Sequence, residues 1–286
     1  NDSFSRIEQQ KLFNIGGFEE VDTVAEDGTY QPFTTPGREN PTYTPLKKGN
    51  TFSVTEEMII NDNLREIRQF PLKIARSAIF TLSNIVWSRI FGCVGSDSVN
   101  TQLIYDGTTL YTDAHANTTN DALDYDSLDQ AATRLVDQEE LTSGQPIGLE
   151  GKFLIVPHNL KRTAWNITKN ELVQGNLQAA GAGAGSATAV GGGIQNAIAD
   201  YGIVPIPVPS KYLCNTTKAW VLMASPDDAQ GVTVGYHNNK REPDILLQNN
   251  PTVGDVFTND RITYKGKFRF GTAITDFRAF QGGDFD

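Results

Sequence analysis

Between positions 64 and 91 the apolar residues fall at helical spacing. Ile67, Phe70, Ile74, Ala78, Leu82 and Ile85 form one row, and Ala75, Ile79, Val86 and Ile90 a second. Two adjacent rows at a 3.6-residue period make the broad stripe of an amphipathic helix. Asp62 or Asn63 would cap its start, Pro71 would kink it near that start, and Gly92 and Gly95 would end it. The preceding stretch, 22–58, reads in the opposite way. It holds Pro32, Pro36, Pro41 and Pro45 and has no helical period, yet Tyr30, Phe33, Tyr43 and Phe52 recur through it. Proline lacks a backbone donor, so this run suits neither a helix nor a central strand. Its aromatic residues are too many for a plain linker. An extended arm docked on neighbouring subunits is the expected reading, with a loop folded back on its own domain as the alternative.

Further along, Leu128, Ala131, Ala132, Leu135 and Val136 predict a second helix starting at Ser127, with Ser127 and Gln130 as its capping box and Gly144 closing it. The run KFLIV at 152–156 reads as a buried strand stopped by Pro157. A helix with Leu160, Ala164 and Ile167 on one face follows, so this part is α/β in character. The stretch 175–193 is a low-complexity Gly/Ala loop. Pro205, Pro207 and Pro209 make 203–209 an extended segment suited to a sheet edge, and AWVLMA at 219–224 is another buried strand. At the end, Ile262, Tyr264, Phe268 and Phe270 share one face of long antiparallel strands expected to pack on the first helix, with Phe277 and Phe280 after them. The class is α+β.

Composition narrows the function more than the fold. The 286 residues are 38% apolar and 20% charged, enough for a substantial core, and no run of eighteen apolar residues could span a membrane. A formal charge of −10 repels phosphates and argues against a DNA-reading protein. Cys93 and Cys214 are too few for a disulfide framework and match no metal spacing, so a reducing compartment is expected. A chain beginning at Asn1 without methionine is expected to have lost a leading segment by trimming or by removal of a pro-segment.

Candidate chemistry is thin. The run GAGAGS at 181–186 lacks the third glycine of a dinucleotide fingerprint and a strand before it. Asp113 and His115, with Asp106 and Asp121 nearby, could serve a hydrolase, but such residues on a turn commonly bond their own backbone. His158 reads as a helix cap and His237 as part of a polar loop. No catalytic residue, cofactor or metal is expected.

Three blocks in order resemble the major capsid proteins of tailed bacteriophages, particularly the Mu-type major head subunit family. They are KGNTFSVTEEMIIND at 48–62, DGTTLYTDAHAN at 106–117, and NDRITYKGKFRFG at 259–271 followed by DFRA at 276–279; Trp220 also matches in position. The resemblance covers about residues 24–286 and implies the Hong Kong 97 capsid fold. On it, 1–23 is an N-terminal arm and 24–60 an E-loop hairpin. Residues 61–145 form a peripheral domain with spine helix 64–91, 146–225 an axial domain containing the 175–193 loop, and 226–286 strands returning to the peripheral domain. It implies an icosahedral shell of hexamers and pentamers around double-stranded DNA, held without sequence-specific contact. Portal, decoration or scaffolding proteins and a head protease are the implied partners, and clipping by such a protease would account for the absent methionine. An encapsulin-type compartment is the alternative within the same fold. Some relatives carry a lysine–asparagine cross-link, which no motif assigns here. Tyr30, Phe33, Arg38, Glu39, Tyr43, Lys47, Lys48 and Phe52 are the candidate contacts between subunits.

Overall fold

Two sheets organise the chain in the computed structural model, which describes residues 2–61, 66–95, 98–141, 143–170, 172–173 and 194–285. Strand β1 (Asp2–Phe4) is followed by the two-residue strands β2 (Gln10–Lys11), β3 (Asn14–Ile15), β4 (Arg38–Glu39) and β5 (Thr42–Tyr43), then by β6 (Leu46–Thr55). Helices α1 (Glu56–Ile60) and α2 (Phe70–Ile90) come next, then β7 (Thr118–Thr119), α3 (Tyr125–Val136), β8 (Gly151–Pro157) and α4 (Lys161–Lys169). After the short pair β9 (Leu172–Val173) and β10 (Ile194–Gln195) come β11 (Val204–Val208), β12 (Trp220–Ala224), β13 (Val232–His237) and β14 (Asp244–Gln248). The chain closes with α5 (Asp255–Asn259), β15 (Arg261–Ile274) and β16 (Phe280–Gly283). The Gly/Ala stretch 175–193 and the proposed caps Asp62 and Asn63 lie outside the described residues.

The first sheet is built on β15. Strand β6 runs antiparallel along one of its edges from Arg261 to Phe270, while β14 and β13 follow one another along the other edge. Strand β1 lies beyond β13, parallel to it. Helix α2 packs on this sheet through Ala78, Leu82 and Ile85, which meet Tyr236, Phe268 and Phe270. The first apolar row of the sequence thus faces the sheet and is half-buried, while Ile90 of the second row is the fully buried residue of the helix. In the second row Ile79 is exposed, as are Leu72 and Phe80. The helix starts at Phe70 rather than 64, after a 3-10 turn at Glu66–Gln69. Pro71 therefore opens the helix instead of kinking it, because a missing N–H costs nothing in the first turn. The remaining 21 residues span about 32 Å.

The second sheet has the order β11-β8-β12-β16-β7. Strands β8 and β11 are parallel, and α4 lies between them in the chain as a crossover packed against both. Leu154, Val156, Trp220 and Leu222 enter one core with Leu128, Leu135 and Ile198, while Ile155 and Val221 point into another with Phe91, Tyr111 and Phe280. Burial on both faces explains why these strands read as continuous apolar runs. Trp220 is fully buried and its indole donates to the Asp121 carbonyl (3.1 Å).

Several expectations shift. Helix α3 starts at Tyr125, because Asp124 and Ser127 form the reciprocal capping box (2.7 and 2.9 Å) and make Ser127 the third helical residue rather than the cap. The last strand, β16, leaves the first sheet and enters the second between β12 and β7, so the final residues do not all return to the helix-bearing side. His158 is exposed and makes no capping bond, and His237 ends β13 with its ring edge-on to Phe4. Cys93 and Cys214, expected as separate thiols, are paired in the core with their Cα atoms 6.2 Å apart.

Candidate functional site

Residues 10–43 form one long hairpin. Gln10 and Lys11 pair with Tyr43 and Thr42, and Asn14 and Ile15 pair with Glu39 and Arg38. The Leu12 amide donates to the Pro41 carbonyl (2.7 Å) and the Gly16 amide to the Gly37 carbonyl (3.0 Å). The resemblance implies an E-loop hairpin at 24–60; the hairpin seen in the structure spans 10–43, with its first limb in the stretch read as an N-terminal arm. Its second limb carries Pro32, Pro36 and Pro41, which cannot donate, so the ladders are only two residues long and no period marks them. Strand β6, read as part of the same hairpin, finds its partner in β15 of its own subunit.

The base of the hairpin is locked to the body. The Arg278 guanidinium donates through both terminal nitrogens to the Glu39 carboxylate (3.1 and 3.2 Å), and also to Asp276 (3.1 Å) and the Glu139 carbonyl (2.9 Å). The Tyr105 hydroxyl donates to the same Glu39 carboxylate (2.9 Å), and the Asn14 amide to Asp276 (3.2 Å). The two side chains of the pair are 6% and 12% exposed, so bidentate geometry and the surrounding bonds must offset desolvation. Burial works against the charge of Arg278, but Glu39 and Asp276 more than offset it and hold the guanidinium further toward its charged form. Burial, and then the neighbouring Glu39 charge, pushes the Tyr105 phenol up. Tyr43 is buried against Phe4 and Ala273 and donates to Asp2 (2.7 Å); burial, and then that bond, raises its phenol too. Its ring lies on Gly235 and Gly271, where any Cβ would collide with it.

The far end of the hairpin is the reverse. The Phe18 and Phe33 rings meet at 5.3 Å, and the chain turns over Ala25 to Gly28 with Asp27 in the left-handed region (φ 64°). Phe18, Val21, Tyr30 and Phe33 are 60%, 80%, 82% and 52% exposed. Glu19, Glu20, Asp22, Glu26 and Asp27 lie in this loop, and no Lys or Arg occurs between Lys11 and Arg38.

A groove of about 680 Å³ lies between the first half of α2 and the β6–β15 pair. Phe52, Phe70, Ile74 and Phe268 line it with Lys47, Lys48, Lys73 and Lys267. Phe52 packs edge-on against Phe70 (4.8 Å), and Lys73 lies 5.9 Å from the centre of that ring. Lys267 also pairs with Asp244 (3.6 Å). The candidate contacts are therefore divided. Tyr30 and Phe33 lie on the exposed loop, Arg38 is exposed on β4, Glu39 and Tyr43 are engaged within the chain, and Lys47, Lys48 and Phe52 border the groove. Sequence reasoning missed Arg278, Tyr105 and Asn14; a charged residue between Phe277 and Phe280 was the available signal for Arg278.

His115 pairs with Asp106 rather than Asp113. Its Nε2 lies 2.6 Å from the Asp106 carboxylate and its Nδ1 3.0 Å from the Leu110 carbonyl, with the ring stacked on Phe277 (3.9 Å). Burial opposes the charge on Asp106, but the Thr108 amide, His115 and the Thr108 hydroxyl together hold its carboxyl below the usual range. With both ring nitrogens engaged and Asp113 exposed on the surface, the Asp113–His115 pair of the alternative hydrolase reading is not assembled. Among the described residues no group of three or more His, Cys, Asp or Glu could hold a metal ion.

The sequence matches the family model described as phage capsid protein over residues 38–281. No curated protein matches it. The fold is similar to the Cyanophage Pam1 capsid asymmetric unit, with TM-score 0.60 and 10% identity over 96% of this chain and 84% of that one. A structure from Mycobacterium phage Adephagia gives 0.58 at 13% identity, covering 96% and 81%. The holo-SrpI encapsulin complex from Synechococcus elongatus gives 0.53 at 13% identity, covering 99% and 83%. The architecture is the Hong Kong 97-like α+β capsid fold.

Proposed function

Because the chain belongs to the phage capsid protein family and is a structural protein of the virion shell, we propose that it is the major head subunit. It assembles in the host cytoplasm as hexamers and pentamers into an icosahedral shell around double-stranded DNA, in the manner of the Mu-type head subunits. Portal, decoration or scaffolding proteins and a head protease are partners in this reading.

The observation that carries it is the hairpin. A loop with four exposed large apolar side chains is poorly placed in water as a free monomer. Its five carboxylates complement the lysines of the groove beside α2. We infer that the loop of one copy docks on that groove of the next, with Tyr30 and Phe33 as apolar anchors and Lys47 and Lys48 receiving charge. The outer edge of β6 has no strand partner among the described residues and offers a second contact by strand addition. A net charge of −10 keeps DNA contact weak, so that the genome can slide.

Electron microscopy of the purified protein tests the assembly. Closed shells or hexamer and pentamer plates are expected, whereas a uniform field of monomers under every assembly condition would sink the reading. The likeness to an encapsulin fold supports a second reading, a compartment for protein cargo. Nuclease-protected double-stranded DNA in shells from infected cells decides for the first reading, and protein cargo without nucleic acid for the second.

A further inference from the structure

Cys93 and Cys214 are the only cysteines in the chain. Folding brings them together across a separation of 121 residues, with Cα atoms 6.2 Å apart, a spacing a disulfide bridges without backbone movement. They come from different halves of the molecule. Cys93 follows the end of α2, where its amide donates to the Ser88 carbonyl (3.0 Å). Cys214 lies in the turn after β11, in the left-handed region (φ 58°), on the side of the second sheet. Both side chains belong to the core layer that holds Ile90, Phe91 and Leu213, and they are 1% and 6% exposed.

We propose that this pair is an oxidative modification site, and that the resulting disulfide is a redox-dependent lock between the end of the long helix and the second sheet. The bond forms by exchange with a low-molecular-weight disulfide. One cysteine thiolate attacks that reagent and expels its first thiol, and the second cysteine displaces the other. The chain loses two protons and two electrons, and the reagent is reduced to two thiols. Because both sulfurs are buried, exchange occurs before the layer closes or during its opening, and the finished bond is shielded from reductant. In a reducing cytosol the chain folds with two thiols. Outside it the bond closes a loop of more than a hundred residues, where the loss of unfolded-state entropy is large. The proposal concerns a bond within one chain and stands apart from the shell reading.

The test uses the purified full-length protein equilibrated with oxidised glutathione, then unfolded without reductant and treated with a maleimide-linked polymer. No polymer should attach until a phosphine reductant is added, after which two chains should attach. Two attachments before reduction, or a disulfide-linked dimer, would overturn the site. Oxidised protein should melt about 5 to 10 °C above the reduced form. The Cys93→Ser/Cys214→Ser variant should melt at one temperature in either buffer. If oxidised and reduced wild-type protein melt together, the bond is no lock.

Discussion

The two ends of the hairpin have opposite physics. At the base, Glu39 and Tyr43 are engaged by Arg278, Tyr105 and Asp2 inside the subunit. At the tip, Phe18, Val21, Tyr30 and Phe33 face solvent amid carboxylates with no cation between Lys11 and Arg38. A base that is satisfied within the chain sets where the hairpin leaves the body. A tip that is not satisfied there is available to be selected by another molecule. Substitutions at the two ends should therefore fail in different assays.

The contrast is sharpest at Arg278. Arg278→Ala strands Glu39 in a half-buried site and should cost about 3–5 kcal/mol, read as a shift in the urea midpoint. The same variant should be cut faster by protease within 16–37, and a loss under 1 kcal/mol would mean the base is not an anchor. Tyr43→Phe keeps the ring on Gly235 and Gly271 but removes the bond to Asp2, with an expected loss of about 1.5–3 kcal/mol. Asp106→Asn, next to Tyr105, should cost about 1 kcal/mol at neutral pH. Because the folded Asp106 carboxyl lies below its unfolded value, its contribution is complete above about pH 4 and is lost as the pH falls through the folded value. Denaturation at a series of pH values should show wild type and variant converging on the acid side, and a constant gap down to pH 2 would contradict this. At the tip, Glu19→Lys/Glu20→Lys/Asp22→Lys should move stability by no more than about 0.5 kcal/mol and yet block assembly. Adding Lys47→Glu/Lys48→Glu/Lys73→Glu in the same chain should restore particles, and failure of that rescue would break the pairing of loop and groove.

What could be read from the sequence follows from how local each signal is. Helix α2, strands β8 and β12 and the long β15 were legible because apolar periodicity is carried by consecutive residues and strengthened by burial. The hairpin was legible as an extended arm with aromatic anchors, but its limbs were not, because its prolines shorten the ladders and leave no alternation to follow. The α3 boundary moved by two residues because two serine- or aspartate-led capping patterns compete there and only geometry chooses between them. The anchor could not be read, since Glu39 and Arg278 are 239 residues apart and nothing local to either names the other. The meeting of Cys93 and Cys214 was hidden for the same reason.

The path of the C-terminal region has a consequence for synthesis. Strand β15 is the central strand of the first sheet, and β16, only a few residues later, sits between two strands of the second. Until residues 261–283 have left the ribosome, β6, β13 and β14 lack the strand that joins them, and β12 and β7 lack the one between them. Strands β11, β8 and β12 can pair without these residues, but both sheets are complete only once the same last stretch of chain is available. On the shell reading proposed above, a chain lacking residues 261–283 is expected to be unable to join a growing lattice.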